Sequence, residues 1–181
     1  MAAYDLSKDS PLRHVAHGFV FVLFYLVLAN ARSIQPNPLI PGATMAVAIV
    51  VPAIAGLLSG RWTGLATGII SALAAAVIFA LVANSDAHRA ASELLSVIPY
   101  GIMGWTAGWL RSRLPSPLPA CALLLGHLLK LSTHLLAGRL SVEHLASPAL
   151  WLGLAWETLL GIAVVTAVVG IFRFGLERRS S

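Results

Sequence analysis

Charge is what this chain has least of. Only 10% of its 181 residues are Asp, Glu, Lys or Arg, where soluble domains carry about 25%. So little charge excludes a water-facing surface, so most of the outside must meet lipid. Cysteine is nearly absent too: Cys121 stands alone, which excludes an internal disulfide. Catalytic signatures are missing as well. The chain has no His-Glu-x-x-His, no Gly-x-Ser-x-Gly and no phosphate-binding glycine loop. These absences predict no enzyme, no catalytic residue, no cofactor and no built-in ATPase. The polar start, MAAYDLSKDSPLRH, lacks the form of a cleavable leader, so the first apolar run is expected to stay as a helix.

Apolar residues fill the space that charge leaves. They make up 58% of the chain, and the mean hydropathy is +0.85. A bilayer core needs about 20 apolar residues per helix. Six runs meet that need: 15–31, 40–59, 63–83, 91–110, 118–137 and 149–172. The breaks carry charge or turn chemistry, as in Gln35-Pro-Asn-Pro and Arg111-Ser-Arg-Leu-Pro-Ser-Pro. The shortest break is Ser59-Gly60-Arg61-Trp62, which predicts a tight hairpin, because one continuous helix through it would be roughly 66 Å long. The expectation is an all-α, polytopic membrane protein: a single domain over residues 1–181 forming a compact bundle of six transmembrane helices.

The net charge of +5 does not point to nucleic acid, because the basic residues sit singly at the ends of apolar runs. With the N-terminus inside, Lys8, Arg13, Arg61, Arg111, Arg113, Arg173, Arg178 and Arg179 fall on one side and Arg32, Arg89 and Arg139 on the other. Eight against three predicts both termini in the cytoplasm and a cell-membrane location. Trp62, Trp105, Trp109 and Trp151 lie close to run ends, as interfacial anchors do. Gly56, Gly60, Gly64 and Gly68 recur at every fourth position, and Gly101, Gly104 and Gly108 follow on the fourth run. Small residues at that spacing let helices approach closely.

Ionisable groups inside a membrane cost about 2.5–3.5 kcal/mol each and mark function or pairing. Lys130 lies roughly 10 Å, and Glu157 roughly 12 Å, from the outer ends of neighbouring antiparallel runs. The two are expected to point into the bundle, toward each other or a shared ligand. His127, Lys130 and His134 fall within about 60° of one another on a helix. Glu93, Ser96 and Tyr100 occupy the outer half of the fourth run, and Trp151 stands near Glu157. Together they predict an outward-opening cavity against the fourth, fifth and sixth runs, with a few placed polar groups in apolar walls. His14 and His17 lack further ligands, and no metal site is expected.

These motifs lead to a resemblance. The stretches are Asn37-Pro-Leu-Ile-Pro-Gly42, Ala55-Gly-Leu-Leu-Ser-Gly-Arg-Trp-Thr-Gly64, Ile98-Pro-Tyr-Gly-Ile-Met-Gly-Trp-Thr-Ala-Gly-Trp-Leu-Arg111 and His127-Leu-Leu-Lys-Leu-Ser-Thr-His-Leu-Leu-Ala-Gly138. From about Ile34 to Gly138 the chain resembles the substrate-binding S components of energy-coupling factor transporters. The resemblance implies a subunit that takes a vitamin or related small molecule from outside and works with a coupling membrane subunit and ATPase subunits. It places the site at the first external loop, hence Asn37, and at the outer halves of the last three helices. The first run lacks the Ala-x-x-x-Ala pattern through which many members dock, and the start lacks the histidine segment of the metal-transporting members. Two other classes fit the composition: a structural or cell-envelope scaffold protein, and a stand-alone ion-coupled carrier.

Overall fold

The computed structural model describes residues 11–31, 47–81, 87–111, 113 and 118–179, the last seven without their side chains. Among the described residues every regular element is helical. In chain order these are α1 (Pro11–Asn30), α2 (Val50–Ser59), α3 (Arg61–Leu81), α4 (Ala87–Leu110), α5 (Ala122–Leu136), the one-turn α6 (Val142–Leu145) and α7 (Pro148–Arg179). Short 3₁₀ turns, Val47–Ile49 and Leu118–Cys121, lead into α2 and α5.

Four stretches are long and apolar enough to cross a membrane: Pro11–Asn30, Arg61–Leu81, Leu118–Leu136 and Pro148–Phe172. The Val47–Ser59 helix is apolar but shorter, and residues 40–46 of the expected second run lie outside the described residues. Helix α4 has 24 residues, yet Arg89, Ser92, Glu93 and Ser96 make its N-terminal half too polar to join the four. Two helices outrun their apolar segments. Proline is well tolerated in a first turn, so α1 starts at Pro11 rather than Val15. Helix α7 continues past Phe172 through a charged segment, because backbone hydrogen bonding does not need apolar side chains.

The expected hairpin is present and turns on one residue. Gly60 has φ 94°, a conformation that side chains beyond glycine rarely adopt. It donates to Gly56 O and accepts from Gly64 N, both at 3.0 Å. Beyond the turn, α2, α3 and α4 meet backbone to backbone. A Cβ on Gly56 or Gly64 would overlap the Gly104 carbonyl oxygen, and one on Gly68 would overlap that of Tyr100. Only hydrogen atoms fit between these helices, which is how small residues bind a bundle without a hydrophobic driving force. Helix α4 is thereby held at the centre, against α2, α3 and α5, while α1 packs on α2 and α3, and α7 on α2 and α5.

Arginines satisfy exposed helix ends. Arg89 donates to Ala29 O at the end of α1 (3.0 Å), and Arg111 donates to Leu58 O at the end of α2 (2.9 Å). Both carbonyls lack an intrahelical partner, so the bonds close the backbone accounts there. Gly138, at φ 67°, ends α5, and Arg139 N returns to His134 O at 2.9 Å. Phe19, Leu23, Phe24 and Val27 on α1, with Leu152 and Leu159 on α7, face outward. In water such surfaces aggregate, whereas in lipid they are the required exterior.

Candidate functional site

The glycine stack sets where the polar side chains go. It draws α4 inward so far that the Tyr100 ring is buried completely, beside Met103 and Leu123. Tyr25 of α1 reaches it from the other side; the rings meet edge to face at 5.9 Å and 62°. Each phenol engages an ionisable group. Tyr25 donates to Glu93 Oε2 at 2.6 Å, and Lys130 Nζ donates to Tyr100 Oη at 2.8 Å. The ammonium also stands 5.2 Å from the centre of the Tyr100 ring. An acid, two tyrosines and a lysine from α1, α4 and α5 thus form one chain across the bundle.

Around it the contact between the start of α4 and the end of α5 is polar. Ser96 Oγ, fully buried, donates to Ser92 O at 2.7 Å. Ser92 Oγ lies 3.4 Å from His134 Nε2, and Thr133 donates to Leu95 O at 3.1 Å. His127 is 7% exposed, and its buried Nε2 has no hydrogen-bond partner among the described residues. Buried ring nitrogens seldom stay unpaired, since the loss costs about 1–3 kcal/mol.

Glu157 approaches the same level from α7. A Cβ on Gly161 would lie 3.2 Å from Leu123 and 3.5 Å from Val50, so α7, α5 and α2 touch there. One turn along from that contact, on the same helix faces, come His127 on α5 and Glu157 on α7. Glu157 lines a cleft of about 30 Å³, room for about two waters, with Val47, Ile49, Val50, Leu160, Gly161 and Val164.

The predicted site residues therefore divide. Glu93 and Tyr100 of α4 and Lys130 and His134 of α5 make polar contacts between helices, Ser96 bonds within α4, and His127 is buried on α5. The Lys130 hydrogen bond goes to Tyr100, and Glu157 belongs to the cleft wall. That cleft lies between the start of α2 and α7, not against α4 and α5 as expected. The glycine contacts occupy α4 with α2 and α3, and the start of α2 is left as the neighbour of α7. Trp151 stands apart: it is 43% exposed and donates to Leu145 O at 2.7 Å, bracing α6 against α7. Asn37 lies outside the described residues. At the other end of the bundle Trp105 stacks on Trp109 at 6.1 Å, and Arg113 covers Trp109 at 4.2 Å.

Sequence reasoning passed over Tyr25, which supplies the partner of Glu93. Its signal was present: Tyr25 is the single hydroxyl-bearing residue between Phe19 and Leu28. Ser92, which meets His134, was passed over as well.

No protein-family model, curated protein or solved structure matches the chain.

Proposed function

We propose that this protein is a membrane-embedded substrate-binding subunit for uptake of a vitamin-like small molecule, energised by separate coupling and ATPase subunits, as in the S components it resembles. In this reading the bundle has six spans. Helix α4, about 36 Å long at 1.5 Å per residue, and the segment ending in α2 join the four apolar helices. Both termini face the cytoplasm, by the distribution of Lys and Arg.

One observation carries the reading: ionisable and polar groups from α1, α4 and α5 collect inside the bundle, and a further acid, Glu157 of α7, lines a cleft. Charged groups in hydrocarbon are costly, and where they cluster inside a bundle they characteristically line a solute path. Native mass spectrometry of gently purified protein tests it. The expected spectrum shows a bound small molecule at unit stoichiometry. A bare protein that also shows no saturable binding of any vitamin-like solute overturns the proposal.

A second reading has its own support. Glu93 and Lys130 each already hold a tyrosine hydroxyl, as a purely structural network would require. A scaffold protein of this kind would bind no solute, and the same spectrum separates the two. An ion-coupled carrier acting alone would instead accumulate solute in liposomes without any ATPase.

A further inference from the structure

The two ionisable side chains of the α1–α4–α5 chain are not equivalent. Glu93 is 4% exposed and engaged at 2.6 Å by Tyr25. Lys130 is only partly buried, and its hydrogen-bond partner is the neutral phenol of Tyr100, not a carboxylate. A phenol carries no charge, and the Glu93 carboxylate of the same chain is separated from the ammonium by Tyr25 and Tyr100, so among the described residues no carboxylate meets Lys130 directly. One turn deeper on the same face of α5, the His127 Nε2 is buried without a partner. An ammonium with spare N–H groups and a ring nitrogen with none of its bonds made thus lie together, beside a tyrosine hydroxyl.

Resting on the reading above, we infer that the solute bound here is an organic acid whose carboxylate is received by Lys130, with His127 Nε2 and Tyr100 Oη as the neighbouring polar contacts. A carboxylate supplies what both groups lack: a negative charge for the ammonium and lone pairs for a protonated Nε2. A neutral amide can satisfy the imidazole but not the charge. A cationic solute meets the ammonium head on.

The probes are 4-azidobenzoate and its neutral counterpart 4-azidobenzamide, photolysed with the full-length protein in detergent and mapped by peptide mass spectrometry. The acid is expected to label α4 or α5 peptides about tenfold more than the amide, the scale of one charge-assisted hydrogen bond. Lys130→Met should lose that preference and Lys130→Arg should keep it. Tyr100→Phe, which releases the ammonium, should keep or raise labelling by the acid. If Lys130→Met does not fold, the acid-to-amide ratio in wild type and in Lys130→Arg decides. Equal labelling by both probes, no labelling by either, or full preference in folded Lys130→Met overturns the inference. The uptake reading is judged separately by the native spectrum. A retained molecule without an acid group leaves that reading standing and removes this one.

Discussion

Gly104→Ala adds a single methyl group at the most crowded point of the bundle. The new Cβ would overlap the Gly64 carbonyl oxygen and lie 2.6 Å from the Gly64 carbonyl carbon and 3.0 Å from Pro52 O. All three are backbone atoms, so no side chain can rotate away. To restore ordinary contact, α4 must withdraw from both α2 and α3, giving up close packing along their length. Overpacking of this kind costs about 1–3 kcal/mol. Against it stands the preference of a helix for alanine over glycine, about 1 kcal/mol. The steric term wins, because the clash is shared by two neighbouring helices and is rigid on both. Because two helices share the clash, the steric cost falls at the upper end of that range, and the expected net loss is about 2 kcal/mol, or roughly 30-fold in the ratio of folded to unfolded protein. Gly170→Ala is the matched control: it lies on α7, and a Cβ there meets nothing within 4 Å. That variant should be unchanged or gain up to about 1 kcal/mol. Thermal unfolding in detergent, followed by the monomer peak in size-exclusion chromatography, reads both. If Gly104→Ala proves as stable as wild type, or the two substitutions shift the midpoint alike, the close approach of α2, α3 and α4 is wrong.

Other expectations follow from the polar chain and the topology. Tyr25→Phe removes the hydroxyl that Glu93 accepts from and leaves a buried carboxylate short of a bond. It should lower the unfolding midpoint by the equivalent of about 1–3 kcal/mol, and adding Glu93→Leu should recover part of the loss; a midpoint that Tyr25→Phe leaves in place argues against the bond. Lys130→Met combined with Glu157→Gln should leave a folded bundle by size-exclusion chromatography but abolish solute binding measured by native mass spectrometry. Retained binding in the double variant would assign both charges to structure. Arg111→Ala exposes the Leu58 carbonyl at the end of α2 and should cost about 1 kcal/mol, read by the same unfolding assay; an unchanged midpoint would show that water replaces the guanidinium without loss. In intact cells Ser85→Cys should react with an impermeant maleimide while Ser112→Cys should not, and the reverse pattern would invert the topology.

Composition and spacing decided the class of this protein. Too little charge for a wet surface, together with apolar runs of membrane length, admits little besides a helical bundle in lipid. The glycine period announced close packing, and the Gly60 break announced a hairpin, since both are properties of local backbone chemistry. The polar stripe of His127, Lys130 and His134 was legible for the same reason: residues on one helix have a phase that can be counted. Partnership between helices could not be counted. Whether Lys130 meets Glu157 or Tyr100 depends on how far α4 is drawn into the centre, which is set by carbonyl contacts at Gly56, Gly64, Gly68 and Gly104. The same contacts bring Tyr25 onto Glu93, 68 positions away, and leave α2 rather than α4 beside the cleft that holds Glu157. Depth follows from position along one helix, whereas lateral neighbours follow from which faces can approach, and only the packed bundle decides that.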